Sequence, residues 1–289
     1  TIDKYGADVT RWYMISNSQP WDNLKFDEEG LAETSRKLFG TLYNTYNFFA
    51  IYANIDGFAI NANNKTPLNE RAEIDRWVIS KLHSLVKEVS ESYNDYEPTK
   101  AARAVESFVI EHLSNWYVRL CRRRFWGNEL SQDKKAAFET LHECLQVVAQ
   151  LMSPIAPFFT DWLYQNLLAT TSSIHVSTLI NADENLIDKA LEQRMEWAQE
   201  ISSLVLSLRK KTKIKVRQPL QKILVPAIDK DFIDQIDKVK ELILSEVNVK
   251  EIEYIGDTSG IISKKLGFTF FEIIPEVSPI YSISFTFTS

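Results

Sequence analysis

The chain has 289 residues, a formal net charge of -6, 45% hydrophobic and 25% charged residues, a composition that excludes disorder and fits a folded globular protein. Its length allows two domains, and no apolar run approaches the ~20 residues of a membrane span. Cys121 and Cys144 are the only cysteines and form no CxxC pair, which argues against a zinc site or a disulfide framework and for a reducing cytoplasm. The chain opens on TIDKYGADVTRW, without methionine. That start reads as an internal cut, so a fragment of a longer protein is expected.

In chain order, the first clear rhythm runs from Glu28 to Asn54. Leu31, Leu38, Leu42, Tyr46, Phe49 and Ala53 recur there at the three-and-four spacing of one helix face. The acids Asp27, Glu28 and Glu29 suit the dipole at its start. Asn69 is expected to cap a second helix carrying Ile74, Trp77, Val78, Leu82, Leu85 and Val89. Pro98 stands where a helix start tolerates it, and a third helix follows through Val105, Phe108, Val109, Leu113, Trp116 and Leu120. Ser131 is expected to cap a fourth, with Leu141, Leu145, Val148 and Met152 on its buried side. Pro154 and Pro157 must end it, and TDWLYQNLL restarts a short helix. A long helical pattern then runs from about Asp188 to Lys211. The fold class is mainly α: an antiparallel helical bundle with short connections.

After Lys211 the rhythm changes. KILVPAI and VNVKEIEYI are β-branched and flank a helix-like DKDFIDQIDKVKELILSE, which predicts a small α/β unit after the bundle. The tail from about Leu266 is rich in Ser, Thr, Phe and Ile, and its SISFTFTS alternates like a strand.

Within the third helix, NWYVRLCRRRFW (Asn115–Trp126) sets four arginines among aromatic residues in an acidic chain. On an ideal wheel with Trp116 at zero, Leu120, Leu113 and Tyr117 fall within about 100° and mark the core face. Arg119, Arg122, Arg123 and Trp126 fall at roughly 300°, 240°, 340° and 280°, on the opposite side. Arg124, at about 80°, lies over the core and must turn inward, to a carboxylate or an aromatic ring. A run of charge is usually a solvated face. Here, however, no acid occurs between Glu111 and Glu129, so no i,i+4 partner neutralises it. Exposed Trp126 beside arginines is the composition that stacks unpaired bases and holds their phosphates. A second acid-free stretch, RKKTKIKVRQPLQK, carries Arg209, Lys210, Lys211, Lys213, Lys215, Arg217 and Lys222. Cations suit a helix C-terminus, but seven exceed what a helix end needs, and the two stretches together read as a localised polyanion site.

The strings KYGADVTRWYMISNSQPWDNLKFD, FGTLYNTYNFFAIYANIDGF, NWYVRLCRRRFW, SPIAPFFTDWLYQNL and RKKTKIKVRQPLQKILVP closely resemble the isoleucyl-tRNA synthetase family, in its eukaryote-like branch. The resemblance covers about Thr1 to Lys265; beyond that the sequence departs from the family pattern. It implies three parts: residues 1–26 as the end of a catalytic domain, just past the Lys-Met-Ser-Lys-Ser loop; residues 27–211 as the helical anticodon-binding domain; and residues 212–289 as a small α/β junction domain with an atypical tail. The family's His-Ile-Gly-His and Lys-Met-Ser-Lys-Ser signatures do not occur in the chain, so no catalytic residue is assigned. The resemblance implies a tRNA-binding segment, inert alone, of an isoleucine–tRNA ligase. Its cytoplasmic and monomeric parent would use ATP and Mg2+, with none of these cofactors held here.

The expected partner is isoleucine tRNA, met at its anticodon loop by Arg119, Arg122, Arg123, Trp126, Lys210, Lys211, Lys213, Lys215 and Arg217. A valyl-tRNA synthetase anticodon domain and a helical protein–protein scaffold are the alternatives. The histidines His83, His112, His142 and His175 lack ligand-like spacing, so no metal is expected, and Trp12, Trp77 and Trp116 read as core.

Overall fold

Apolar side chains at helical spacing are realised as packed helices through residue 189. In the computed structural model the described residues are 1–61, 64–127, 129–227, 229–255 and 273–275. Their contacts gather into two units, Thr1–Lys189 and Ala190 onward.

The first unit begins with α1 (Ile2–Tyr5) and α2 (Ala7–Asn17). It continues through α3 (Glu28–Thr34), a π-helical turn over Ser35–Phe39, α4 (Gly40–Ile55) and α5 (Glu73–Asn94). Then come α6 (Pro98–Ser107), a π-helical stretch over Phe108–Val118, α7 (Arg119–Phe125), α8 (Gln132–Met152) and α9 (Pro157–Leu168). The caps explain several of these starts. Asp27 accepts from the Glu29 amide at 3.1 Å, Ser131 Oγ from the Lys134 amide at 3.2 Å, and Pro98 and Pro157 open α6 and α9. Asn69 does not cap. It lies in a 3-10 turn, Leu68–Glu70, and α5 starts at Glu73 after Ala72, without a side-chain cap; the acids Glu73 and Asp75 in the first turn take over the electrostatic part of that task.

The core of this unit is aromatic. Trp12, Trp77, Tyr117, Phe125 and Phe138 are fully buried, and Phe125 meets Phe138 edge to face with centroids 5.0 Å apart. Residues 1–26 are tied into the same unit. Arg11 Nε donates to the Ile155 carbonyl at 3.0 Å, the Asp8 carboxylate accepts from the Phe159 amide at 2.6 Å, and Thr99 Oγ1 donates to the Ile15 carbonyl at 2.7 Å.

In the second unit α10 (Lys189–Lys211) packs on an α/β element. Trp197 meets Phe232 with centroids 5.1 Å apart, and Arg194 Nη1 donates to Gln235 Oε1 at 2.9 Å. Strand β1 (Leu220–Pro226) leads through α11 (Lys230–Lys238) and α12 (Lys240–Val247) into β2 (Val249–Ile255). The two strands run parallel, the pairing that a helical crossover allows. Strand β3 (Ile273–Pro275) pairs antiparallel with β1, giving the order β2-β1-β3. The single expected helix between the strands breaks at Val239 into two. The sequence put a boundary after Lys211; contacts group α10 with the strands instead. SISFTFTS lies outside the described residues.

His142, on α8, is 5% exposed and lies 5.8 Å from the Phe49 ring. Burial lowers its pKa to about 4 despite a backbone bond at Leu167 that favours the proton. The unfolded chain takes that proton near 6.5, so the unfolded state binds more protons between 6.5 and about 4. Stability tied to this group is present above 6.5 and lost as the pH falls toward 4. His142→Gln is expected to flatten the pH dependence of the urea-unfolding free energy across that window, leaving the slope above it unchanged.

Candidate nucleic-acid interface

The basic helix is reached through Phe108–Val118, where π-helical i→i+5 bonds widen the turn. The wider turn shifts faces relative to an ideal wheel. Val118 becomes buried and Leu120 only half-buried, so the core face predicted at Leu120 is corrected by about one position. In α7 the outward side agrees with the wheel, since Arg119, Arg122, Arg123 and Trp126 are exposed, Trp126 at 54%. Cys121 and Phe125, however, are buried although they fall at roughly 140° and 180°, outside the predicted core arc. Arg119 is partly engaged within the chain. Its Nε donates to the Asn115 carbonyl at 2.7 Å, and its guanidinium lies 5.7 Å from the Trp116 ring. Among the described residues, no carboxylate pairs with Arg122 or Arg123.

Arg124 turns inward. Its Nη1 and Nη2 each donate to the Asp75 carboxylate at 2.7 Å. Nε and Nη2 reach the Asp133 carboxylate at 2.9 and 2.8 Å. Asp75 is fully buried and also accepts from the Tyr117 hydroxyl at 2.7 Å. Burial works against the guanidinium charge, but the bonds to Asp75 and Asp133 outweigh it and hold the pKa above its ordinary value. Burial likewise pushes the neighbouring Cys121 thiol up to about 12, so this cysteine is a neutral packing group.

The turn after Trp126 is anchored by a residue the sequence reading missed. Lys134 is 2% exposed; its Nζ donates to the Gly127 carbonyl at 2.6 Å and pairs with Asp56 at 2.5 Å. A signal for it existed. A lysine in the first turn of a helix opposes the dipole, so its presence implies an acid elsewhere. Asp75 carried no comparable signal, being one of several acids near helix starts.

The second stretch falls in the other unit. Lys210, Lys211, Lys213, Lys215 and Arg217 are all exposed, at and beyond the C-terminus of α10. Two of the seven charges counted in this stretch belong elsewhere. Lys222 pairs with Glu253 across β1 and β2 at 2.6 Å, and Arg209 is 1% exposed. The histidines serve packing and turns: His83 Nδ1 accepts from the Asp183 amide at 3.1 Å, and a His175 ring nitrogen lies 3.1 Å from the Pro157 carbonyl. Trp12, Trp77 and Trp116 are buried.

Residues 75–224 match the family described as the anticodon-binding domain of tRNA ligase. Among curated proteins, the chain is 53% identical to an isoleucine–tRNA ligase of Bacteroides fragilis over 281 residues, 96% of this chain and 24% of that protein. It is 52% identical to that of Porphyromonas gingivalis, covering 92% of this chain and 23% of that protein. For Thermus thermophilus the identity is 36%, over 96% of this chain and 27% of that protein. The chain thus spans about a quarter of the length of the curated relatives it matches.

Removing one partner of a buried ion pair leaves the other uncompensated, at a cost of roughly 3–5 kcal/mol. Arg124→Ala is therefore expected to lower the melting temperature far more than Arg122→Ala, read by circular dichroism. Equal and small losses would show that Asp75 does not depend on Arg124.

Proposed function

The chain belongs to the family of anticodon-binding domains of tRNA ligases, and from that premise we propose that it binds the anticodon arm of isoleucine tRNA. In this reading it is the tRNA-gripping segment of an isoleucine–tRNA ligase, cytoplasmic and monomeric, whose other regions attach isoleucine to the tRNA with ATP and Mg2+. No group of three His, Cys, Asp or Glu that could hold a metal ion occurs among the described residues. The observation that carries the proposal is the outward face of α7, where Arg122 and Arg123 stand beside exposed Trp126 and no carboxylate among the described residues pairs with either arginine.

The chemistry follows from what an anticodon loop presents. Its bases are unstacked and need flat partners, and its backbone needs cations. Trp126 supplies an indole face for a base. Arg119, Arg122 and Arg123 supply guanidinium forks for phosphates or base edges. Lys210, Lys211, Lys213, Lys215 and Arg217 supply further charge along the phosphate backbone.

These roles predict mutants that differ in kind. Stacking on an aromatic is worth roughly 1–3 kcal/mol per base by alanine substitution, so Trp126→Ala is expected to weaken binding with little change in salt dependence. Each lost phosphate contact lowers the magnitude of the log–log salt slope by about 0.7–0.9, so Arg122→Ala, Arg123→Ala and Lys215→Ala are expected to flatten it. Filter binding of an isoleucine-tRNA transcript across a salt series reads both. Wild-type affinity and slope in all these variants would reduce the face to a solvated helix surface. Equal affinity for a valine-tRNA transcript would remove the choice of isoleucine tRNA, and tight protein binding with no tRNA affinity would favour a scaffold.

The chain contains neither a His-Ile-Gly-His nor a Lys-Met-Ser-Lys-Ser string. Purified alone, it is expected to give no isoleucine-dependent exchange of pyrophosphate into ATP; exchange above a mock purification would overturn the assignment.

A further inference from the structure

The arginine at the end of α10 is the least expected residue of the second unit. Arg209 is 1% exposed, and burial lowers its pKa. Its partners are three main-chain carbonyls. Nη1 donates to Lys215 and Gln218 at 3.1 and 3.0 Å, and Nη2 to Asn248 at 2.9 Å. Asn248 completes the arrangement from the other side. It sits in the left-handed region at φ 51, where it ends α12, and its Nδ2 donates to the Val216 carbonyl at 2.8 Å.

The carbonyls of Lys215, Val216 and Gln218 thus all accept from groups beneath the loop. A loop held by its carbonyls from below turns its remaining groups to solvent, and Lys213, Lys215 and Arg217 are exposed along it. Lys213 has φ 58 as the residue that closes α10, where the Lys213 and Ile214 amides donate to the Lys210 and Arg209 carbonyls at 3.3 and 2.9 Å. Left to electrostatics alone, five exposed cations over so few residues would repel each other and spread.

We infer that Arg209 and Asn248 are positioning residues that fix the shape of the Lys210–Arg217 loop for a polyanion, without touching it. The inference rests on the reading that this loop meets tRNA, and it adds that affinity depends on a buried arginine and a half-buried asparagine that act from behind the contact surface. Arginine is required because its planar fork reaches several acceptors at once, which an ammonium group on a single stem cannot reproduce. Asn248 is required for its amide as well as for its φ.

The test uses the whole chain and an isoleucine-tRNA transcript across a salt series. The variants are Arg209→Lys, Asn248→Gly, and the loop-neutralised triple K213Q, K215Q and R217Q, with each positioning change also made in the triple background. Glycine adopts the Asn248 backbone conformation freely, so Asn248→Gly removes only the amide bond and carries the test if Arg209→Lys fails to fold. Both single changes are expected to weaken binding roughly threefold to tenfold and to flatten the salt slope by about one contact. In the triple background they are expected to add no further loss, because positioning acts only through the cations it positions. Unaltered binding by the single variants, beside a weakened triple, overturns the inference while leaving the tRNA reading intact. So does an undiminished loss in the triple background, which marks a general folding role. Wild-type binding by the triple instead overturns the reading of this loop as a tRNA contact, and the inference with it.

Discussion

Asp75 holds the basic helix in place. The carboxylate is fully buried at the start of α5 and receives both Nη groups of Arg124 and the Tyr117 hydroxyl. Three segments are bound through it: α5, the π-helical stretch that ends at Val118, and α7. Asp133, at the start of α8, adds the fourth through Arg124. A buried carboxylate without these partners would be too costly to ionise, so the chain can place α7 only where Arg124 reaches it. That constraint fixes the rotation of the helix, and with it the direction in which Arg122, Arg123 and Trp126 face. The outward face is therefore a consequence of an inward bond one residue away.

Much of this was legible in the sequence because helical periodicity reports burial directly. The three-and-four spacing of Leu31, Leu38, Leu42 and Phe49 marked one buried face, and the prolines at 98 and 157 marked two helix starts. Arg124 could be assigned inward by angle alone. What periodicity could not show was any departure from the ideal period. The i→i+5 bonds of Phe108–Val118 bury Val118 and lift Leu120 toward the surface, and no residue type announces such a stretch. Asn69 misled for a related reason. A good capping residue has no cap to make when the chain takes a 3-10 turn instead. The exposed site residues were found by the absence of neutralising acids, whereas Asp75, Lys134 and Arg209 act through partners distant in sequence, which one sequence does not pair.

The formal charge of -6 and the basic face are compatible because screening makes charge a local property. At physiological salt the Debye length is about 8 Å, so a phosphate at α7 responds to Arg122 and Arg123 rather than to acids across the unit. The molecule also pairs some cations with acids of its own. Lys134 is spent on Asp56 and Gly127, Lys222 on Glu253, and Arg124 on two aspartates. The arginines and lysines left at the two exposed stretches are those that no described acid accompanies in sequence.

Arg124 and Arg209 show two ways to bury a guanidinium, with different consequences at the surface above. Arg124 is matched by carboxylates, so its charge is cancelled close by and contributes little field at α7's outer face; its role there is geometric. Arg209 is matched only by carbonyl dipoles at its two Nη groups, with Nε left unbonded, and its charge is not cancelled. In a poorly solvated site that uncancelled charge is felt further than in water, and it lies directly beneath the lysine loop. Holding it there costs desolvation, and the packing of α10 against the α/β element must supply the compensation. A carboxylate in place of those carbonyls would lower that cost. It would also cancel part of the positive potential the loop offers to a phosphate chain, which gives a physical reason for a cation held there by carbonyls alone.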